Sequence, residues 1–575
     1  MTDSILDKLV RLYGRAEGAD SYARLMKKLD EFRAQHPDLS ARSADPAQRV
    51  TERDVMLITY GDSLWEPETA PLKTLHDFLQ QYLAGVLSAV HILPFFPYSS
   101  DDGFSVIDYT AVNPTLGDWP DIRRIGQSFK LMFDAVINHI SAQSNWFQAF
   151  LNGDPDYQGF FISVDPAVDL SQVVRPRSLP LLTPVQTHQG EKHVWTTFSA
   201  DQIDLNFAHP AVLLKVMDVL LFYISQGMSF IRLDAIAYLW KRIGTGCIHL
   251  EETHTVIKLF REIFDLVAPA VAIITETNVP HAENVSYFGD GTDEAQLVYQ
   301  FTLPPLMLHA FAVGDAVVLS DWAARIEKVS DSTTFFNFTA SHDGIGVRPV
   351  EGILSEAEVG ALVERAQAHG GAVSFKTNSD GSQSPYELNI NYFDALSDPA
   401  SDEPLELKVR RFIASQAIQL AFMGMPGIYI HSLLGSRSWP QGVEQTGRLR
   451  SINREKLRMD IVTAELNGPG SLRSRVFNAY RDLIARRIRE KAFHPNASQT
   501  VLRLHPALFS LLRVSPDGAE QIVALHNVAD RRVQVDLSAV PLRGTTAYRD
   551  LVSDQRVDAG ETLDIEPYQV MWLKA

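Results

Sequence analysis

Ser229-Phe-Ile-Arg-Leu-Asp234 and Val271-Ala-Ile-Ile-Thr-Glu276 are the two stretches on which the fold turns. Each is a short, nearly continuous apolar run that stops at a carboxylate. Between them Thr253–Ala268 carries apolar residues at helical spacing, and Pro210–Gln226 does the same just before. A strand buried on both faces reads as an unbroken apolar run, whereas a half-exposed strand alternates. Two such strands joined through a helix form the unit of a parallel sheet.

The same alternation extends in both directions. Further β-rich runs occupy Val55–Tyr60, Ser88–Phe95, Leu131–Asn138, Leu297–Leu303, Thr334–Ser341 and Ile428–Leu434, which makes eight, and Leu405–Phe422 is another helical stretch. Eight strand–helix units point to an α/β fold of the (β/α)8 TIM-barrel class. A doubly wound sheet is the alternative; it needs fewer strands and usually a Gly-rich phosphate loop. Gly344 and Gly346 form a lone G-x-G without a third glycine, which reads as a turn.

The organisation expected is a helical region at 1–50, barrel segments at 51–140, 209–344 and 405–494, and insertions at 141–208 and 345–404. The insertions follow the third and seventh strands, where long loops of a barrel usually carry function. In the first region Leu6, Leu9, Val10 and Tyr13, then Leu25, Leu29 and Phe32, recur at helical spacing. From 495 to 575 short β-runs separated by turn signals, such as Leu508–Val514 and Gln521–Leu525, predict a small antiparallel C-terminal β domain.

Composition narrows the function classes. The 575 residues are 45% hydrophobic and 21% charged, as in an ordinary globular protein, and the formal net charge is −18. That charge argues against a nucleic-acid partner and against docking on an anionic membrane. A single cysteine, Cys247, excludes an intramolecular disulfide; flanked by Gly246 and Ile248, it reads as a packed small residue. The first residues lack the basic and apolar regions of a signal peptide, and no apolar run spans a bilayer, so the cytoplasm is the expected location. A homodimer is left open. There is no H-E-x-x-H and no other metal motif, and no cofactor is expected.

In a barrel the C-terminal strand ends line the active site. Here they carry Asp134 with Asn138 and His139, Arg232 with Asp234, Glu276, and His342 with Asp343. Arg232 and Asp234 alternate around Leu233 and share one face of their strand. Retaining glycoside cleavage needs one carboxylate to attack the anomeric carbon and a second carboxyl, about 5–5.5 Å away, to protonate the leaving oxygen. A third acid can stabilise the oxocarbenium-like charge. The plain alternative is that these acids merely cap loops or helices, which accounts for any one of them more easily than for the whole set.

Asp134–His139, Arg232–Tyr238, Glu276 and His342–Asp343 resemble the four sequence regions of the α-amylase superfamily, glycoside hydrolase family 13. Asp101-Asp-Gly-Phe104, Phe301-Thr-Leu-Pro-Pro-Leu-Met-Leu-His309, Gly344-Ile-Gly346 and Arg450-Ser-Ile-Asn-Arg454 resemble its sucrose phosphorylase branch. The resemblance implies that Asp234 is the nucleophile, Glu276 the acid/base and Asp343 the transition-state stabiliser. It places Asp101, Phe104, His139, Arg232, Tyr238, His342 and Arg450 around the glucosyl ring. Arg177 and Tyr386 fall in loops that present groups to phosphate or acceptor. Two positions depart from the branch: Glu276-Thr-Asn278 replaces Glu-Val-His, and Glu387 follows Tyr386 where Gln is typical. Both bear on the fructosyl side, which argues against sucrose.

The segments Arg175-Pro-Arg-Ser-Leu-Pro-Leu-Leu-Thr-Pro184 and Ile274-Thr-Glu-Thr-Asn-Val-Pro-His281 are most similar to the glucosylglycerate phosphorylase subgroup. The implied partners are a small glucoside and inorganic phosphate. Arg175 and Arg177 fit an anionic partner, because guanidinium groups pair bidentately with carboxylate or phosphate. Phosphorolysis of sucrose, sucrose 6′-phosphate or glucosylglycerol is the alternative within the branch. A non-catalytic sugar-binding barrel is the alternative outside it.

Overall fold

The computed structural model describes residues 2–42, 45, 49–176, 179–378, 381–540, 547–560 and 562–575. Its centre is a closed barrel of eight parallel strands: β1 (Met56–Thr59), β2 (Ala89–Ile92), β3 (Lys130–Ala135), β4 (Met228–Leu233), β5 (Ala272–Thr275), β6 (Leu297–Tyr299), β7 (Thr334–Asn337) and β8 (Met425–Tyr429). Each pairs with its neighbours in sequence, and β8 closes on β1 through Met56 beside Gly427. Most strand residues are buried whichever way they point, which is why the runs do not alternate.

Helices Pro210–Ser225, Glu251–Val267 and Leu405–Ala421 belong to the surrounding layer. The helix Thr2–Gln35, broken at Gly14 where φ is 79°, lies across two of them. Lys8 pairs with Glu262 and Lys28 with Asp218, while Ile5, Leu9, Leu25 and Leu29 are buried. Among the described residues no helix is long and apolar enough to cross a membrane.

The chain between β3 and β4 holds a helix, Asn145–Asn152, and a hairpin of Leu182–Thr187 with Gly190–Trp195. A small core of Val164, Val173, Leu181, Trp195 and Cys247 binds it to the loop after β4. The chain after β7 holds the helix Glu356–Ala368 and a three-stranded sheet. Among the described residues the C-terminal sheet has six strands, including Ser498–Leu502, Leu508–Val514 and Gln521–Asn527. Buried Arg513 fixes it to the barrel by donating to the carbonyls of Ala421 at 2.6 Å and His494 at 2.8 Å.

Two local expectations are corrected. The run Ile428–Leu434 is not one strand: β8 starts at Met425 and ends at Tyr429, and Ile430–Leu433 turns into a helix. An all-apolar run has no period to mark that change. Gly344-Ile-Gly346 is not a turn. Ile345–Gly346 forms an edge strand against Leu388 and Glu387, and a Cβ on Gly346 would lie 2.5 Å from Asn278 Oδ1.

Candidate active site

The C-terminal ends of the strands open into a cavity lined by Asp101, Phe104, His139, Asp234, Tyr238, Glu276, Asn278, His342, Asp343, Tyr386, Glu387 and Arg450. Arg232 does not line it but lies buried beneath, against Asp234 and Glu276. All the site residues expected from sequence therefore converge, apart from Arg177, which lies outside the described residues. Arg175, Lys376 and His281 do not line the cavity. Lys376 pairs with Glu351, and the His281 ring packs against Trp322 and Phe335.

Strand register explains the first contacts. Asp134 on β3 lies beside Arg232 on β4, so both project into the barrel at one level. Arg232 Nη1 donates to Asp134 Oδ1 at 2.5 Å and to Asp234 Oδ1 at 2.7 Å; its Nη2 is 3.7 Å from Glu276 Oε2. The guanidinium also lies over the rings of Phe104 and Tyr299. One delocalised, buried cation thus lies against three carboxyls.

Ala235, next to Asp234, reaches Glu276 through its backbone. It is held in the left-handed region, with φ 48° and ψ 32°, which costs a non-glycine residue about 1–2 kcal/mol. In that conformation its N–H donates to Glu276 Oε2 at 3.0 Å. Glu276 Oε2 therefore faces a backbone donor and Arg232, and the other carboxyl oxygen is the one on which a proton is best accommodated.

Burial drives the pKa values up, since a charge in a dry site loses its hydration. Glu276 is pushed up to about 7, by burial first and then by the charges of Asp234 and Asp343 against the opposing pull of Arg232. Asp234 is pushed up to about 6 by burial, opposed by its hydrogen bond and charge contact with Arg232. Asp343 goes the other way: burial raises it, but Arg450, whose Nη1 lies 2.5 Å from Asp343 Oδ1, together with His342, Arg454 and Arg232 outweighs burial and holds the carboxyl well below the usual range. Arg450 in turn makes a bidentate pair with the buried Glu387, through Nε at 3.0 Å and Nη2 at 2.5 Å.

Aromatic and polar side chains make up the rest of the pocket. Phe104 stacks on His342 with centroids 4.7 Å apart and planes 3° from parallel. Burial pushes the His342 imidazole down to about 3, so it is neutral at pH 7. The Phe104 carbonyl accepts from Gln202 Nε2 at 2.9 Å and lies 2.9 Å from His139 Nε2. Asn278 Oδ1 is buried with no protein partner and belongs to the same cavity wall.

Four contributors receive no role in the sequence argument. Phe198 and Gln202 come from the insertion after β3, where no strand end marks them. Arg454 anchors Asp102 at 2.7 Å and the His342 carbonyl at 2.7 Å from beyond the eighth strand. His91 lies inside β2, below the mouth. For Arg454 the usable signal is the motif Arg450-Ser-Ile-Asn-Arg454, in which it is the last residue.

Comparison with known proteins gives a consistent picture. The α-amylase family profile, described as alpha amylase, catalytic domain, matches residues 76–347. A glucosylglycerate phosphorylase of Spirochaeta thermophila is 52% identical over 527 residues, covering 92% of this chain and 89% of that protein. The glucosylglycerate phosphorylase of Escherichia coli (strain K12) is 45% identical over 575 residues, covering 100% of each. Among solved structures, sucrose 6F-phosphate phosphorylase from Thermoanaerobacter thermosaccharolyticum superposes with a TM-score of 0.72 at 25% identity, covering 83% of this chain and 94% of that one.

Proposed function

The chain belongs to the α-amylase family, and from that premise we infer that it cleaves 2-O-α-glucosylglycerate with inorganic phosphate, giving α-glucose 1-phosphate and glycerate. It is a glucoside phosphorylase, and its substrates are a small glucoside and phosphate. Support for the acceptor comes from relatives that match across nearly the whole chain. The observation that carries the chemistry is the arrangement at Arg232. Asp234 is hydrogen-bonded to the cation, Glu276 stands further from it, and the pKa of Glu276 lies the higher of the two.

The reaction proceeds by double displacement. Asp234, ionised and aimed by Arg232, attacks the anomeric carbon. Glu276 gives its proton to the departing glycerate oxygen, and a glucosyl ester forms on Asp234. Asp343, kept anionic by Arg450, stabilises the positive charge that develops on the ring. Phosphate then enters, Glu276 accepts its proton, and the phosphate oxygen attacks from the face that glycerate left. Two inversions retain the α configuration. Arg177 is assigned to the phosphate, on the resemblance of its loop. The lone cysteine accords with a cytoplasmic location.

The test is glucose 1-phosphate release from glucosylglycerate, glucosylglycerol, sucrose and sucrose 6′-phosphate, each with and without phosphate. Phosphate-dependent release from glucosylglycerate is the expected result. Release from sucrose instead overturns the acceptor and leaves the mechanism standing; glucose without glucose 1-phosphate means a hydrolase. Asp234→Asn should lower turnover by a factor on the order of 10⁴ while the melting temperature stays within a few degrees. Turnover within tenfold of wild type would remove Asp234 as nucleophile. Arg177→Ala should raise KM for phosphate more than KM for the glucoside, and an unchanged phosphate KM would end that assignment.

A further inference from the structure

Arg232, which holds the attacking carboxylate in the proposed reaction, is itself held from behind. The nitrogen that donates to Asp234 also donates to Asp134 Oδ1. The second oxygen of Asp134, Oδ2, lies 2.6 Å from His91 Nε2. His91 and Asp134 are 0% exposed and Arg232 is 2% exposed. A line of contacts therefore crosses three adjacent strands, from His91 on β2 through Asp134 on β3 to Arg232 on β4, and ends at Asp234. His91 does not line the cavity, so any effect it has on the reaction passes through the other two.

We propose that His91 is a positioning residue: its Nε2–H donates to Asp134, limits that carboxylate's claim on Arg232, and so leaves Arg232 to keep Asp234 ionised and aimed. Asp134 is an anion sealed inside the barrel. Left unshared, its charge would act on Asp234 twice, by drawing the guanidinium toward itself and by repelling the Asp234 charge directly. A donor on Oδ2 offsets both effects.

The imidazole is suited to that task. Burial keeps it neutral, against the pull of Asp134, so it carries one ring proton. Nδ1 is buried and has no partner. With the proton on Nε2, one lone pair goes unmet. With the proton on Nδ1, an N–H would go unmet and the Nε2 lone pair would face a carboxylate. The first tautomer is the one the surroundings select. The charged and titratable groups in the neighbourhood are Asp134 and Arg232 around His91, and His342 beside Asp134. Around Asp234 they are Arg232, Asp134, Asp343 and, across the guanidinium, Glu276.

The inference rests on the phosphorylase reading for its kinetic test and not for its spectroscopic one. The pH profile of kcat/KM for phosphorolysis is compared among wild type, His91→Leu and His91→Gln, since a glutamine amide can place an N–H where Nε2 stands. His91→Leu should move the acid limb upward by about one pH unit, a loss of about tenfold at pH 5 and far less at pH 7. His91→Gln should keep the wild-type limb. A folded Leu variant with an unmoved limb, or a Gln variant displaced as far as Leu, overturns the proposal, because simple core filling would not move a pH limb. Should His91→Leu fail to fold, ¹⁵N spectra of histidine-labelled wild type decide. A neutral ring with Nε2–H and bare Nδ1 from pH 5 to 8 supports it, and Nδ1–H overturns it. Wild type that releases no glucose 1-phosphate would sink the phosphorylase reading alone, and the spectra would still test His91.

Discussion

Asp234 and Glu276 are lifted by the same burial, to about 6 and about 7, yet only Asp234 is hydrogen-bonded to Arg232. The order matters more than either value. As pH rises through 6 Asp234 loses its proton first, and Glu276 keeps its own until about 7. The proposed reaction needs Asp234 ionised and Glu276 protonated, so kcat/KM should rise through the first limb and fall through the second, giving a narrow bell. Because the two carboxyls interact, the limbs belong to the pair. Glu276→Gln should flatten the alkaline limb in whatever activity it retains. A plateau extending from pH 4 to 9 in the wild type would contradict the arrangement. These acids were visible in the sequence because a barrel strand buried on both faces is apolar until it reaches the mouth, so a carboxylate at its end stands out. His91 was not visible: it lies within a strand, and nothing in Ala-Val-His-Ile says that its neighbour across the sheet is Asp134.

At the scale of single elements, the loop after β2 brings Asp101 and Phe104 to the cavity, and it does so under strain. Asp101 and Asp102 take φ values of 55° and 49°, and Gly103 takes 109°, where a Cβ would lie 2.4 Å from the Pro94 carbonyl oxygen. Such strain persists only where surrounding contacts enforce it. The enforcing group is Asp201, from the insertion after β3. Its Oδ2 accepts from Ser99 and Ser100 at 2.5 Å each and from Ser105 at 2.7 Å, and the adjacent Gln202 holds the Phe104 carbonyl. Asp201→Ala should relax this loop and raise KM for the glucoside by about tenfold, equivalent to about 1.4 kcal/mol, with a smaller change in KM for phosphate. Asp201→Asn, which keeps an acceptor oxygen, should recover most of the loss. Equal effects on both substrates would make Asp201 a general structural residue. The eight strands were legible as apolar runs, whereas this clasp was not. It joins residues about a hundred positions apart through side-chain oxygens, and periodicity carries no such information. The helices Asn145–Asn152 and Glu356–Ala368 were likewise passed over. Their signals are local caps, Ser144 in one and the Ser355–Glu358 box in the other, rather than long apolar periods.

The whole molecule sets a problem that no single residue solves: a net charge of −18 surrounds a site whose proposed substrates, glucosylglycerate and phosphate, are both anions. The acids gathered at the barrel mouth add to that field. Among the described residues that line the cavity, Arg450 is the sole arginine or lysine, and its nitrogens are already paired with Asp343 and Glu387. The long-range field therefore opposes substrate entry, and any local attraction rests on loop cations such as Arg177. Salt separates the two contributions. At 0.01 M ionic strength the screening length is about 30 Å, comparable with the molecule; at 0.15 M it falls to about 8 Å, which removes the distant acids but leaves contacts inside the pocket. Raising the ionic strength over that range with a non-competing salt should lower KM for phosphate, by about two- to threefold, while kcat changes little. The effect should shrink for a neutral glucoside such as glucosylglycerol. If KM for phosphate instead rises with salt, the loop cations govern the encounter from a distance. In that case Arg177→Ala should abolish the salt dependence, and the global charge would have no part in substrate capture.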